Sequence, residues 1–366
     1  MHKKRLRLLN IFLLTCIISF SQDINKNKIN TSAAQAYFKI AHELEKGGNN
    51  ENISWQILFK TLPYKMMIDG NAIDTIDFKS KMKQAFSLTS NNVNTSPLNN
   101  NNYHHAYKDN QKELEIYIKQ LNTGNIVDSV KNLLYPYLPM RLQKPELFPI
   151  LIYMNYGSAE ATGFGGIVIN DLLHSYIIDK FKFGLLSAHE AFHSIVSSAF
   201  QQKIKKNIGY DDSDFNLLYF LENVSEEGIA DLIDKPLLLQ TNSPLYNQVK
   251  QMTVNDDSLS KTLIYKLDNF LTLANQSEKA FQEFGDFTTL ANTFGKNGGH
   301  IPGRFMADVI KRAGLLQNHI DTIEDPISFI LHYNKATKMT EEKYPIFSNE
   351  SILYLQKLRN KYWVVN

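Results

Sequence analysis

Residues 185–199, LLSAHEAFHSIVSSA, constrain this 366-residue chain more than any other stretch. Apolar side chains at Leu185, Leu186, Ala188, Phe192, Ile195, Val196 and Ala199 cover much of the circumference of a helix, so the helix must be buried. It takes His189, Glu190 and His193 with it, and a buried polar group needs a partner. With about 3.6 residues per turn, His189 and His193 stand one turn apart on one face, where their imidazoles can converge on a single cation.

Glu190 is rotated about 100° from His189, out of the ligand pair but within reach of a water at an open coordination position. That is the place of a general base. The cation lowers the pKa of the water toward ~7, the glutamate takes its proton, and a carbonyl polarised by the same ion receives the hydroxide.

Cysteine narrows the choice of ligands. The only one is Cys16, inside MHKKRLRLLNIFLLTCIISFSQD, which has the basic start, apolar run and small residues of a secretory signal expected to be cut after Ser21. The apolar run is shorter than the roughly 18 residues a membrane span needs, and Asn10 interrupts it. A lipoprotein attached through Cys16 is the less favoured reading, because apolar residues continue past the cysteine. The expected location is secreted, periplasmic or in the cell envelope, with no stable membrane span after cleavage.

Four of the 39 Lys and Arg lie in residues 1–21 and none of the 37 Asp and Glu, so the mature chain has 35 against 37 and a net charge of −2. No basic stripe remains to bind nucleic acid. No thiol remains to bind a metal, which must be held by His, Asp or Glu.

The fold class expected is α+β, mainly α. Residues 22–140 read as a helical N-terminal region, with a helix capped by Ser32 and stopped by Gly47-Gly48, further helices at 53–62, 77–88 and 110–134, and an Asn-rich loop over 90–105. Residues 147–173 read as a small sheet of two strands, LFPILIYMNYG and GFGGIVINDLL. Helices are then expected at 183–203, 214–234, 245–253, 258–276, 278–293, 302–314, 325–334 and 348–360, within a catalytic region spanning 141–366.

A catalytic zinc site wants a third protein ligand. Near the end of the 214–234 helix stands Glu226-Glu227-Gly228-Ile229-Ala230-Asp231. Glu227 and Asp231 are one turn apart, so one carboxylate can ligate while the other accepts the Nδ1 hydrogen bond of a ligating histidine. Glu222 and Glu226 are rivals for the ligand role. Gly228 would let this helix approach the motif helix closely.

HEAFH followed on a second helix by EExxxD, with EGIAD as its core, resembles the gluzincin class of zinc metallopeptidases, and more closely a bacterial family of uncharacterised zinc-dependent proteases. The resemblance implies a zincin-like catalytic domain. It makes His189, His193 and Glu227 the zinc ligands, Glu190 the base and Asp231 the partner of a ligating histidine. It covers about 45 residues well. The 33 residues between His193 and Glu227 exceed the spacing of the best known gluzincins and require an inserted loop around 203–212.

The same resemblance implies that GFGGIVIND is a sheet edge that holds an extended substrate by backbone hydrogen bonds; an ordinary core strand with a glycine bend is the other reading. It implies that His300, in a glycine-rich turn, donates a hydrogen bond to the oxyanion. His300 as a capping residue, and Arg304 as an anchor for a substrate carboxylate, are further readings. His42, His104, His105 and His174 lack a second ligand at helical spacing and read as structural or exposed. The function expected is a zinc-dependent peptidase acting on a peptide or protein substrate. The alternatives are a zinc hydrolase of a non-peptide amide or ester, and a non-catalytic binding protein on the same scaffold.

Overall fold

A computed structural model describes residues 28–47, 54–87, 103–157, 161–204, 213–253, 256–276 and 285–363. The described residues are mainly helical with one small mixed sheet, which is α+β. The expected loop insertion at 203–212, most of the Asn-rich loop and the start of the 278–293 helix lie outside them, as does the signal segment. Among the described residues no helix is long and apolar enough to cross a membrane. The chain divides into two compact units, residues 1–131 with 148–187, and residues 132–147 with 188–366.

Among its described residues the first unit contains four strands, β1 (Ile29–Asn30), β2 (Ile150–Met154), β3 (Ala161–Phe164) and β4 (Ile167–Asp171), in the order β1-β2-β4-β3. β2 runs parallel to β1 and β4, with Ile152 opposite Ile169, and β3 is antiparallel to β4. The central strands are apolar on both faces because both faces are covered: Leu151 to Met154 and all of β4 are buried.

Here the structure differs from the sequence expectation. GFGGIVIND is not one edge strand but a hairpin. Gly165 and Gly166 take positive φ of 53° and 79°, a turn conformation open to glycine, and fold β3 back onto β4. β4 is therefore interior, and the edge is β3.

β4 ends at Asp171, which caps the helix Leu172–Asp179 by accepting from Leu173 N and His174 N. Its other oxygen accepts from the Tyr107 hydroxyl and from the amides of Tyr156 and Gly157, at 3.1 and 2.7 Å for the amides. Burial raises the Asp171 carboxyl, but His174, Tyr107 and the Gly157 amide more than offset this and leave it below its ordinary range. The helix Ser32–Glu45 buries Ala34, Tyr37, Phe38 and Ala41. Tyr37 joins Phe78, Phe86 and Tyr107 in an edge-to-face aromatic cluster.

The second unit is helical among its described residues. The helix Ser213–Leu238 runs four residues past the expected end and contains Pro236. Proline has no amide to give the carbonyl four residues earlier. That carbonyl is Leu232 O, and the Tyr137 hydroxyl donates to it at 2.9 Å. The helix His300–Arg312 crosses the same helix at a pair of glycines. A Cβ on Gly228 would lie 2.4 Å from Gly303 O, and one on Gly303 would lie 2.2 Å from Val224 O. Gly228 thus accommodates the His300 helix, not the motif helix that sequence reasoning paired it with.

Candidate metal centre

The motif lies on the helix Leu185–Lys203, and its apolar residues place it as expected: Ala188, Ala191, Phe192 and Val196 are fully buried. His189 and His193 are 5% and 9% exposed. Their Nε2 atoms are 3.2 Å apart. Glu227 Oε2 lies 3.2 Å from His193 Nε2 and 3.7 Å from His189 Nε2. His189, His193 and Glu227, brought together by two helices, have the spacing of a metal site.

The other ring nitrogens also face carboxylates. His193 Nδ1 lies 3.3 Å from Glu226 Oε2, and His189 Nδ1 lies 3.4 Å from Asp234 Oδ2. His193 Nδ1, directed at Glu226, carries the proton in the neutral ring and leaves its Nε2 lone pair turned inward, while His189 Nδ1 lies at ion-pair distance from Asp234 with no hydrogen-bond partner. Glu226 is fixed from behind by Ser197, whose hydroxyl lies 3.0 Å from both of its oxygens. Glu226, a rival for the ligand role in the sequence, thus lies against the outer nitrogen of His193 and not among the inward-facing atoms.

Two lone pairs and a carboxylate oxygen facing one another at such distances repel unless a cation lies among them. Ligands at 2.0–2.1 Å in a tetrahedral zinc site are separated by about 3.3–3.4 Å. The two separations of 3.2 Å are close to that edge, and the one of 3.7 Å is a modest opening of it. Glu227 Oε2 is buried with no hydrogen-bond partner. The donor set, two imidazoles and a carboxylate, fits zinc.

The electrostatics agree. Burial pushes the histidine pKa values down, yet Asp234 and Glu227 raise His189 to about 10, and Glu227 and Glu226 raise His193 well above its ordinary value. Burial pushes Glu227 up, and His193, His189 and His300 overcome it and leave the carboxyl well below the usual range. Without a metal these shifts put protons on both imidazoles, so the positive charge that the carboxylates call for is one that protons or a bound cation can supply. Glu190 is partly exposed, and burial raises its carboxyl despite the nearby histidines.

His300 reaches the same centre, with Nε2 3.2 Å from Glu227 Oε2 and Nδ1 3.1 Å from Asp231 Oδ1. The structure thus pairs Asp231 with His300, while Asp234 and Glu226 take the positions beside His189 and His193. Asp234 was legible: 227, 231 and 234 follow the i, i+4, i+7 pattern of one helix face. Arg304 bonds Asp256 at 2.8 Å, so part of its guanidinium is engaged. His42 contacts Glu115, His104 contacts Tyr37 and His174 contacts Asp171.

A buried His, His, Glu set beside a further glutamate is the donor set of a zinc hydrolase class. A family model described as "Putative zinc dependent peptidase (DUF5700)" matches residues 55–342, which is more than half of the chain, and the chain belongs to that family. Comparison with curated proteins and with solved structures gives no match.

Proposed function

We propose that the chain is an exported zinc peptidase that hydrolyses peptide bonds, with His189, His193 and Glu227 holding the metal and Glu190 acting as general base. The observation that carries this reading is the convergence of two imidazole Nε2 atoms and Glu227 Oε2 within 3.2–3.7 Å, with the outer imidazole nitrogens facing Asp234 and Glu226. When bound, zinc supplies a water of lowered pKa and polarises the carbonyl that is attacked.

The chain's own residues do the remainder. Glu190, kept more basic than an ordinary glutamate by burial, takes the proton of the attacking water and returns it to the leaving amine. Asp231 holds the His300 ring from its Nδ1 side and turns Nε2 into the site, where the ring in its doubly protonated form donates to the oxyanion. Glu190 also favours an enzyme over a binding protein, since a metal held for structure alone needs no base. Export rests on the N-terminal signal pattern.

The test is to express residues 22–366 and measure bound zinc and cleavage of a mixed peptide library for the parent, Glu190→Gln and His193→Ala. We expect one zinc per chain in the parent and in Glu190→Gln, none in His193→Ala, and cleavage by the parent only. A parent protein without zinc refutes the metal centre. Zinc without cleavage of any peptide refutes the peptidase.

A further inference from the structure

The helix Ser213–Leu238 carries one more charged group at the centre that neither the ligands nor the base make use of. Lys235 lies one turn beyond Asp231, with Nζ 3.3 Å from Asp231 Oδ1 and 3.0 Å from Asp234 Oδ2. These are the same two oxygens that face the histidines: Asp231 Oδ1 is 3.1 Å from His300 Nδ1, and Asp234 Oδ2 is 3.4 Å from His189 Nδ1. Contacts therefore run from His300 through Asp231, Lys235 and Asp234 to His189, the last of them an ion-pair contact without a hydrogen bond.

Asp231 and Asp234 are 2% and 5% exposed. Two carboxylates this close together and this poorly hydrated repel each other unless a positive charge stands between them. With His189 they also form a second group of metal-ligand spacing, distinct from the His189, His193 and Glu227 set. In that second group the cationic place is already taken by the ammonium. Burial lowers the pKa of Lys235, but Asp234 and Asp231 overcome this and hold it above the ordinary lysine range, so the charge is permanent.

We infer that Lys235 is a positioning residue acting on both sides of the centre: a built-in cation, standing where a second metal ion would otherwise balance Asp231 and Asp234, that fixes those carboxylates and through them the rings of His300 and His189. This rests on the zinc reading above. One side of the relay ends on a metal ligand and the other on the oxyanion donor, so its loss reaches both metal affinity and turnover. A lysine that merely closes the last turn of a helix would affect stability and leave both of these unchanged.

The experiment uses the chain from residue 22 onward in five forms: the parent, Lys235→Gln, Lys235→Arg, Asp234→Asn and the double variant Lys235→Gln/Asp234→Asn. Zinc dissociation constants come from chelator competition, with zinc stoichiometry, the melting temperature of the metal-free protein, and kcat and KM on a peptide that the parent cleaves. We expect Lys235→Gln to bind zinc about ten- to a hundred-fold more weakly, the usual cost of losing a group behind a metal ligand. Its kcat falls with little change in KM, and Lys235→Arg keeps most of both. The double variant binds zinc little worse than the weaker single one, because both substitutions break the same relay.

The inference is overturned if Lys235→Gln keeps parental zinc affinity and kcat and loses only melting temperature, or if the two losses multiply in the double variant. Should Lys235→Gln not fold, Asp234→Asn with parental zinc affinity overturns it as well. A parent that binds no zinc refutes the metal reading and this inference together. A parent that binds zinc and cuts no peptide refutes the peptidase alone, and the zinc constants still decide the role of Lys235.

Discussion

Asp171 in the first unit and Glu227 in the second are both carboxylates held among histidine and other polar groups, but the atoms turned toward them differ in kind. Around Asp171 the neighbours are donors: the Tyr107 hydroxyl and the amides of Tyr156, Gly157, Leu173 and His174. Around Glu227 Oε2 they are three imidazole Nε2 atoms, whose outer nitrogens face Glu226, Asp234 and Asp231, so that in the neutral rings the inward nitrogens are acceptors. A polar cluster whose donors and acceptors balance is a device for folding. One whose acceptors are in excess is a place for a cation.

The sharpest way to break this comparison is to substitute on both sides of it. His193→Ala should abolish zinc binding and reduce cleavage to background, and Glu190→Gln should keep zinc while cleavage falls about 10²–10⁴-fold. Zinc content by elemental analysis and peptide turnover check both. Asp171→Ala should leave zinc stoichiometry unchanged and cost about 3–5 kcal/mol of stability, since it strands a buried hydroxyl and several amides. Denaturant unfolding measures that loss, and a change in zinc content would show that the two clusters are not independent.

A smaller effect is expected where two helices of the second unit touch. Gly303→Ala places a methyl group against backbone that cannot rotate away, costing about 1–3 kcal/mol in chemical unfolding. Because Gly303 lies one turn from His300, turnover should fall more than zinc affinity does. Equal losses in both would move the role of this crossing from His300 to the whole centre.

A pH slope is expected in the first unit. Burial raises the Asp179 carboxyl to about 7 in spite of hydrogen bonds from the Tyr117 hydroxyl and the Gly184 amide. Unfolded, it ionises near its ordinary value of 3.8. Between these values the folded chain holds the proton that the unfolded chain has released, so the contribution of Asp179 to stability declines as pH rises from about 4 to 7. Asp179→Asn should remove that part of the slope in unfolding measured across the range, with Asp171, whose shift has the opposite sign, left in place.

Much of the centre could be read from spacing because a helix converts sequence interval into direction. The motif helix begins within two residues of its expected start, and His189 and His193 share a face for the reason their spacing gives. Glu227 was legible only alongside rivals, because the choice among Glu222, Glu226 and Glu227 depends on a second helix whose approach no local pattern encodes. The hairpin at Gly165-Gly166 was missed because two short strands joined by glycines have the same composition as one strand with a bend. The helix read over 110–134 is two helices, Gln111–Thr123 and Ile126–Leu134, parted at Gly124, whose backbone is extended. The continuation through Pro236 was not legible, since the group that compensates for the proline lies 95 residues earlier.

That compensation governs how the chain can be cut. Tyr137 belongs to residues 132–147, a segment of the second unit that is synthesised before residues 148–187 of the first. A ribosome therefore delivers the donor for Leu232 O long before the helix that needs it, and a fragment that begins at 141 never carries it. Such a fragment would keep every ligand and lose the clasp on the turn that holds Asp234 and Lys235, so it would be a poor stand-in for the full chain in any measurement of metal affinity.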